Sequence, residues 1–255
     1  MTATSEGIDD RWFSRTAQRP DADVQLFCLP YAGSGASVFR GWSAVFGPRV
    51  EVLGVQLPGR EARMREPRVI DPARVADAIA AAADRPFGIF GHSMGGRIGF
   101  EVIRELRRTG RQLPERFYPS GINPPDLMSV GPFDGLSRLD DEALTARLEA
   151  GGGVPAAVLA EPELFELLLP ILRSDLTWVD DYTYVEDESL PIPVLAFAGD
   201  NDPVAPVDRM AGWAKHTTAD YRLHTVSGGH FFLNDHVRTI AGLIEADLLD
   251  AVRAR

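Results

Sequence analysis

A G-x-S-x-G motif at residues 91–95 is the feature that most constrains the fold of this 255-residue chain. It follows the apolar run 87–90 and precedes a helix-like stretch from Met94 to about Arg108. In a strand–turn–helix of this kind the central residue occupies a strained turn, and the flanking glycines let neighbouring backbone approach closely. The motif therefore predicts that Ser93 is an exposed nucleophile at the N-terminus of a helix.

Short apolar runs alternate with helix-period runs along most of the chain. The strands are predicted at 24–29, 50–55, 87–91, 116–121, 193–198 and 221–226, and the helices at 37–46, 72–84, 94–109 and 236–253. Strands that alternate with helices indicate a mostly parallel sheet that is covered on both faces. Together with the turn at Ser93, this order predicts an α/β-hydrolase fold in a single domain over residues 1–255.

The alternation stops between residues 126 and 189. Two helical patterns are separated here by the glycines at 151–153, and the second pattern, at 162–179, is leucine-rich and interrupted at Pro170. We expect residues 126–189 to form a helical lid inserted into the α/β core. An ordinary helical packing layer is the alternative. The core itself would span about residues 24–125 and 190–255.

Charge and composition argue against several classes of function. The net charge is −11, which opposes sequence-independent binding to nucleic acid or to an anionic membrane. Cys28 is the single cysteine, so no internal disulfide is possible and we expect a small buried side chain. Residues 1–23 lack the apolar segment of a signal peptide, and no apolar run approaches the length of a membrane-spanning helix. We therefore expect a cytoplasmic protein.

A serine nucleophile needs an adjacent general base, which points to a histidine. In an α/β hydrolase the acid and then the histidine follow the serine in the chain. His230 lies after the last predicted strand and before the last helix, where a loop can carry it back over Ser93. We predict His230 as the base, with His236 as its rival. His92 precedes the nucleophile in the turn and should point away from it, and surface or core roles suffice for His216 and His224.

The acid is expected in the loop that follows strand 193–198. Two carboxylates compete there, Asp200 and Asp202. Asp202 fits the G-x-x-D-x-x-x-P pattern of hydrolase acid loops, whereas Asp200 is nearer to the strand end and suits a turn-bracing role. We favour Asp202, which would hold the tautomer of His230 and stabilise its imidazolium form. Asp200 is the alternative.

Acyl transfer also requires two hydrogen-bond donors for the oxyanion. One is the backbone N–H of Met94, which follows the nucleophile. The loop at 29–36 should supply the other, and Ala32 is the candidate donor because small residues allow close backbone approach. This loop lacks the glycine patterns of phosphate-binding loops, and the chain has no C-x-x-C and no H-E-x-x-H. We expect no metal and no organic cofactor.

Four blocks of this sequence resemble the type II thioesterases that accompany polyketide synthases and non-ribosomal peptide synthetases. The blocks are L-P-Y-A-G at 29–33, Q-L-P-G-R-E-A-R at 56–63, G-H-S-M-G-G at 91–96 and G-G-H-F-F-L at 228–233. The acid loop at Asp202 fits as well, and the segment 172–176 resembles the lid helix of that family. The resemblance spans most of the chain in the order and spacing of the family.

Two places depart from the family pattern. Tyr31 stands where the family usually has a histidine beside the oxyanion hole, although a backbone donor at Ala32 is compatible with that change. The segment S-G-I-N-P-P at 120–125 replaces a more basic S-G-R-R-A-P. Because this segment borders the substrate entrance, we expect the difference to affect substrate or carrier preference.

The resemblance implies hydrolysis of acyl thioesters from the phosphopantetheine arm of an acyl or peptidyl carrier protein. It implies a Ser93–His230–Asp202 triad, an acyl-enzyme and removal of stalled or aberrant acyl groups. We also expect a monomer, and the acidic charge argues against nucleic-acid and membrane partners. The alternatives are a carboxylesterase or lipase, an acyltransferase, and a non-catalytic carrier-binding module. The block at 56–63 favours the thioesterase over other hydrolases of the same fold.

The arginines of the block at 56–63 and its flank allow two interpretations. Arg60, Arg63 and Arg65 either form a basic patch for an acidic carrier protein or brace the loop through local salt bridges. Glu61 and Glu66 are the acids available for such bridges. We do not count these arginines among the site residues.

Overall fold

Seven strands form one sheet within the part of the chain that the computed structural model describes, namely residues 10–127, 134–151, 154, 158 and 160–254. The strands are β1 (Phe13–Ser14), β2 (Val24–Leu29), β3 (Val50–Val55), β4 (Phe87–His92), β5 (Arg116–Ser120), β6 (Val194–Gly199) and β7 (Tyr221–Val226). Their order across the sheet is β1-β3-β2-β4-β5-β6-β7. Only β1 runs antiparallel, so the predicted mostly parallel sheet is confirmed.

Helices cover both faces of this sheet. They are α1 (Pro72–Ala82), α2 (Met94–Arg108), α3 (Asp141–Gly151), α4 (Pro162–Asp181), α5 (Val207–Met210), α6 (Phe232–Asp235) and α7 (Val237–Arg253). The apolar sides of α1 and α2 pack against the strand residues on one face of the sheet, and α7 packs against those on the other face. Because successive strand residues point to opposite faces, the continuous apolar run of β2 supplies both layers. The predicted α/β-hydrolase architecture is therefore confirmed.

Two local predictions differ from the structure. The segment 37–46 is not one helix but two short 3₁₀ turns, Ala36–Phe39 and Trp42–Ala44. Phe39 ends the first turn and Trp42 begins the second, and both side chains are buried with their ring centroids 5.1 Å apart, so the apolar pattern is satisfied without an α-helix. The edge strand β1 was not predicted, because two residues are too few to show a period.

The insertion between β5 and β6 is helical, as predicted. Its helices α3 and α4 share a small apolar cluster of their own, which also contacts Ala32 in the loop after β2. The predicted interruption at Pro170 is wrong, because α4 continues through this residue. Pro170 is exposed, so water can solvate the carbonyl group that loses its hydrogen bond there. Two of the glycines at 151–153 lie outside the described residues.

The parallel strands all end at the same edge of the sheet, which is where the insertion lies. The loops that follow β2, β4, β6 and β7 carry the predicted site residues. In open α/β sheets this edge is where ligands bind. No helix in the described part of the chain is both long enough and apolar enough to cross a membrane.

Candidate active site

Ser93 lies in a sharp turn between β4 and α2. Its backbone has φ 52° and ψ −123°, a conformation that L-residues rarely adopt and that stores strain. The turn is possible because Gly91 has no Cβ, which would otherwise lie 2.2 Å from the carbonyl oxygen of Gly95. The predicted nucleophile therefore stands at the N-terminus of α2, where the first N–H groups of a helix have no partner within the helix.

The absence of a Cβ at Gly95 brings the loop after β2 against the N-terminus of α2. A Cβ there would lie 2.2 Å from the carbonyl oxygen of Leu29 and 2.8 Å from that of Pro30. Met94 begins α2, and Ala32 lies two residues beyond Pro30. The two predicted oxyanion donors are thus carried by segments that touch each other.

His230 reaches Ser93 from the loop between β7 and α6. Its Nε2 lies 3.0 Å from the Oγ of Ser93, and its Nδ1 lies 2.9 Å from the Oδ2 of Asp202. The imidazole and the carboxylate are both buried. The structure therefore brings the three predicted triad residues into one continuous chain of hydrogen bonds.

The carboxylate of Asp202 is held by backbone as well as by His230. Its Oδ1 accepts hydrogen bonds from the N–H groups of Val204 at 2.8 Å and Ala205 at 3.2 Å. Burial acts to raise the pKa of Asp202, but the hydrogen bond and charge of His230 and the two N–H donors outweigh it, so the pKa is lowered. This carboxyl group consequently stays ionised near neutral pH.

Asp200, the alternative acid, has a different position. It is exposed, and its Oδ1 accepts the N–H of Gly228 at 2.9 Å and the side-chain amide of Asn201 at 2.7 Å. It therefore joins the loop after β6 to the loop that carries His230. This is the turn-bracing role considered for it.

The other histidines are engaged elsewhere. His236, the rival base, directs its Nε2 to the carbonyl oxygen of Ser227 at 2.8 Å. His216 pairs with Asp126 at 2.7 Å, at the start of the insertion. His224 lies on β7, where its ring contacts that of Phe197.

His92 belongs to the wall of the site, although its place before Ser93 predicts only that it points away from the nucleophile. Its ring is completely buried, 5.2 Å from that of His230 between centroids, and its Nδ1 lies 2.9 Å from the Oγ of Ser120. Burial, and next the proximity of His230, lower the pKa of His92 to about 3. With so low a pKa, His92 is too weak a base to compete with His230 for the proton of the nucleophile.

Both departures from the family pattern lie beside this site. The ring of Tyr31 packs edge-on against Phe231, with centroids 5.0 Å apart, and burial raises the pKa of its hydroxyl. In the segment 120–125, the side-chain amide of Asn123 donates to the carbonyl oxygen of Val204 at 3.0 Å. That bond ties the segment to the loop that holds the predicted acid.

An apolar cavity of about 320 Å³ lies between the loop after β2 and helix α4. Its walls include Tyr31, Ala32, Val38, Met64, Leu168 and Leu172. The predicted oxyanion donor Ala32 and residues of the insertion are thus both among the walls of the cavity. Its size and apolar lining suit a hydrocarbon chain.

The arginines of the block at 56–63 do not form a basic patch. Arg60 is buried and pairs with Asp175 of α4. Arg63 is also buried, pairs with Glu66 at 2.6 Å and lies 4.0 Å over the ring of Trp12. The local bracing interpretation thus holds for Arg63, whereas Arg60 has a distant partner that spacing along the chain does not reveal.

The geometry described above supports one kind of chemistry. A serine oxygen adds to an acyl carbon, a histidine accepts and returns the proton, and backbone N–H groups stabilise the oxyanion. The apolar cavity provides room for the acyl chain beside the reacting carbon. The arrangement is therefore that of acyl transfer through an acyl-enzyme.

Comparison with known proteins agrees with this chemistry. A family model described as a thioesterase domain matches residues 24–248. The chain is 37% identical over 243 residues to the thioesterase PikA5 of Streptomyces venezuelae, covering 93% of this chain and 85% of that protein. It is 35% identical over 228 residues to the gramicidin S biosynthesis protein GrsT of Aneurinibacillus migulanus, covering 88% of each.

A solved structure shares the whole architecture. The type II thioesterase BorB from the borrelidin biosynthetic cluster superposes with a TM-score of 0.84 at 33% sequence identity. The match covers 94% of this chain and 98% of BorB. Over the matched part of the chain, the described residues thus follow a known arrangement.

Proposed function

The chain belongs to the thioesterase family, and we propose that it removes acyl groups held as thioesters on the phosphopantetheine arm of acyl or peptidyl carrier proteins. It is a serine hydrolase that acts on thioester bonds. The pathway class is polyketide or non-ribosomal peptide biosynthesis, which is supported by the similarity to PikA5, GrsT and BorB. The groups removed are stalled or aberrant ones.

The observation that carries this proposal is the hydrogen-bonded chain from Ser93 through His230 to Asp202, set beside an apolar cavity. The chain of hydrogen bonds provides an activated nucleophile, and the cavity provides a place for the acyl group. Residues of the insertion, among them Phe165, Leu168 and Leu172 of α4, form one wall of the cavity, so we propose that residues 126–189 act as a lid over the acyl chain. The phosphopantetheine arm would enter at the same sheet edge.

Acylation begins when the Oγ of Ser93 attacks the carbonyl carbon of the thioester. Its proton passes to the Nε2 of His230, and Asp202 stabilises the resulting imidazolium without becoming protonated. The N–H groups of Met94 and Ala32 donate to the oxyanion. The carbon–sulfur bond then breaks, and the thiol of the carrier leaves with the proton from His230.

Deacylation repeats these steps with water as the nucleophile. His230 accepts a proton from water as the water oxygen attacks the ester carbon of the acyl-enzyme. The tetrahedral intermediate collapses, the proton returns to the Oγ of Ser93, and the free acid leaves. All the groups proposed for both steps belong to one chain, which supports the prediction of a functional monomer.

Release of free acid from an acyl-loaded carrier protein tests this proposal. The same acyl group is offered as the N-acetylcysteamine thioester and as the p-nitrophenyl ester, with Ser93→Ala as the control. We expect the carrier-bound group to turn over much faster than either small substrate and the control to be inactive. A preference for the free ester with the carrier form untouched would indicate a general esterase. Acyl transfer to an added amine or alcohol in place of water would indicate an acyltransferase.

A further inference from the structure

A buried ion pair joins helix α4 to the loop after β3. The side chains of Arg60 and Asp175 are 2% and 1% exposed, although 115 residues separate them in the chain. Nη1 of Arg60 lies 2.7 Å from Oδ2 of Asp175, and Nη2 lies 2.7 Å from Oδ1. This two-point geometry is the strongest form of an arginine–carboxylate pair and fixes the orientation of both groups.

The same pair also binds the loop that carries the proposed oxyanion donor Ala32. The Oδ2 of Asp175 accepts the backbone N–H of Gly33 at 2.8 Å, and Nη1 of Arg60 donates to the carbonyl oxygen of Ser34 at 3.0 Å. Asp175 thus accepts a hydrogen bond from the loop at Gly33, and Arg60 donates one to the loop at Ser34, one residue further on.

Helix α4 packs directly on the loop at Gly33. Gly33 has φ +77°, and a Cβ at this residue would lie 3.1 Å from a methyl carbon of Leu172 on α4. The N–H of Gly33 and the carbonyl group of Ala32 belong to one peptide plane. The preceding plane contains the N–H of Ala32 and is joined to this one at the Cα of Ala32, so holding the Gly33 N–H restricts the orientations left to the Ala32 N–H.

Packing alone does not explain a charged pair at this position. Apolar side chains of similar size are often at least as stabilising as a buried ion pair. Elsewhere on α4, Asp180 anchors the backbone N–H groups of Gly135 and Ser137 within the insertion, without an arginine in the same bonds. The Arg60–Asp175 pair differs in that its hydrogen bonds end on the loop beside Ser93.

We propose that Asp175, together with Arg60, is a positioning pair for the proposed oxyanion hole: it holds the Ala32 N–H in the orientation that stabilises the tetrahedral intermediate. The inference rests on the proposed function, because it concerns the donor assigned there. It also means that α4 must be seated on the loop for the oxyanion hole to be complete. The pair touches no reacting atom and acts only through the loop backbone.

An alkyl trifluoromethyl ketone and a matched S-alkyl-pantetheine thioether test this role. Ser93 adds to the ketone, its proton passes to His230, and the new oxyanion occupies the oxyanion hole. The thioether has a methylene group in place of the thioester carbonyl and reports only on binding of the chain and arm. Binding of both ligands is measured for the wild type, for Asp175→Asn and for Asp180→Asn. Asp180→Asn is the matched control because it is the same change on the same helix.

For Asp175→Asn we expect the ketone to bind about tenfold to a hundredfold more weakly, with thioether binding unchanged within about twofold. The kcat for an acyl-N-acetylcysteamine thioester should fall by a similar factor with little change in KM, and Asp180→Asn should leave both ligands unaffected. Equal weakening of both ligands, no weakening of either, or the same ketone-selective loss in Asp180→Asn would overturn the proposal.

Arg60→Lys decides the question if Asp175→Asn does not fold. A lysine retains the charge but cannot bind both oxygens of Asp175 and the carbonyl group of Ser34 together. The same ketone-selective loss is expected, and equal weakening of both ligands would again overturn the proposal. The wild-type ketone measurement does not involve a carrier protein. Failure of the carrier assay would therefore be recognised separately from failure of the positioning role.

Discussion

Replacement of Asp202 by asparagine should remove most of the activity while leaving the shape of the site intact. The Oδ1 of Asp202 faces the N–H groups of Val204 and Ala205, so the amide oxygen of Asp202→Asn must take that position. The amide NH₂ group then faces the Nδ1 of His230 and donates to it. That bond selects the tautomer with a proton on Nε2, which is unable to accept the proton of Ser93.

The size of the effect follows from the hydrogen bonds that must be broken to restore the active tautomer of His230. Rotating the amide would leave the part-buried N–H of Val204 and the buried N–H of Ala205 unsatisfied, at about 1–3 kcal/mol each. A total of about 2–6 kcal/mol corresponds to a decrease of roughly 30-fold to 25,000-fold in rate. Loss of the charge that stabilises the imidazolium adds to this decrease.

The assay is kcat for an acyl-N-acetylcysteamine thioester, with Asp200→Asn as the matched control in the same loop. Asp200 is exposed, and an amide oxygen can still accept the N–H of Gly228, so its activity should stay within about threefold of the wild type. Circular dichroism and thermal unfolding verify that both variants are folded. Activity of Asp202→Asn within tenfold of the wild type, or a larger loss in Asp200→Asn, would refute the reasoning and reassign the acid.

Three further predictions concern the turn and the wall of the site. Ser93→Ala should abolish turnover with the fold intact, and Ser93→Gly should be about 1 kcal/mol more stable than Ser93→Ala in chemical denaturation, because glycine relieves the strained turn. Gly95→Ala should lower the free energy of unfolding by more than about 2 kcal/mol and remove most of the activity, because its Cβ would lie 2.2 Å from the carbonyl oxygen of Leu29. Gly242→Ala, in an open position of α7, should be neutral or stabilising. Equal effects of the two substitutions would contradict this packing argument. His92 is protonated below about pH 6.5 in the unfolded chain but only near pH 3 in the folded protein. Because the unfolded chain binds the proton first, the free energy of unfolding should fall as the pH decreases between these values. The decrease should be about 2 kcal/mol at pH 5. His92→Asn should lose that contribution, and an unchanged pH slope would show that His92 titrates normally.

The fold could be predicted because its signals lie in contiguous residues. Five of the six predicted strands begin where the structure begins them, since short runs rich in apolar and β-branched residues mark the strands. Two local features were not predictable in this way. The segment 37–46 has a helical spacing that 3₁₀ turns satisfy equally well, and α4 continues through Pro170, which is exposed.

The site could be predicted where a motif identifies the residue, and less well where one loop offers two candidates for the same role. Asp200 and Asp202 stand two residues apart, and their spacing to His230 separates them only weakly. In the structure one carboxylate is buried against His230 and the other is exposed against Gly228. His92 was placed outside the site, because its burial depends on aromatic side chains from other loops.

The alternation of strands and helices and the strained turn at Ser93 can be read from the amino-acid sequence, because hydrophobic period and turn chemistry act between near neighbours. The meeting of His230 with Ser93, 137 residues away, was also predictable, because parallel strands bring their loops to one edge of the sheet. The pairing of Arg60 with Asp175, 115 residues away, required the tertiary structure. A buried charge is stable only beside its partner, and no motif or spacing along the chain identifies that partner.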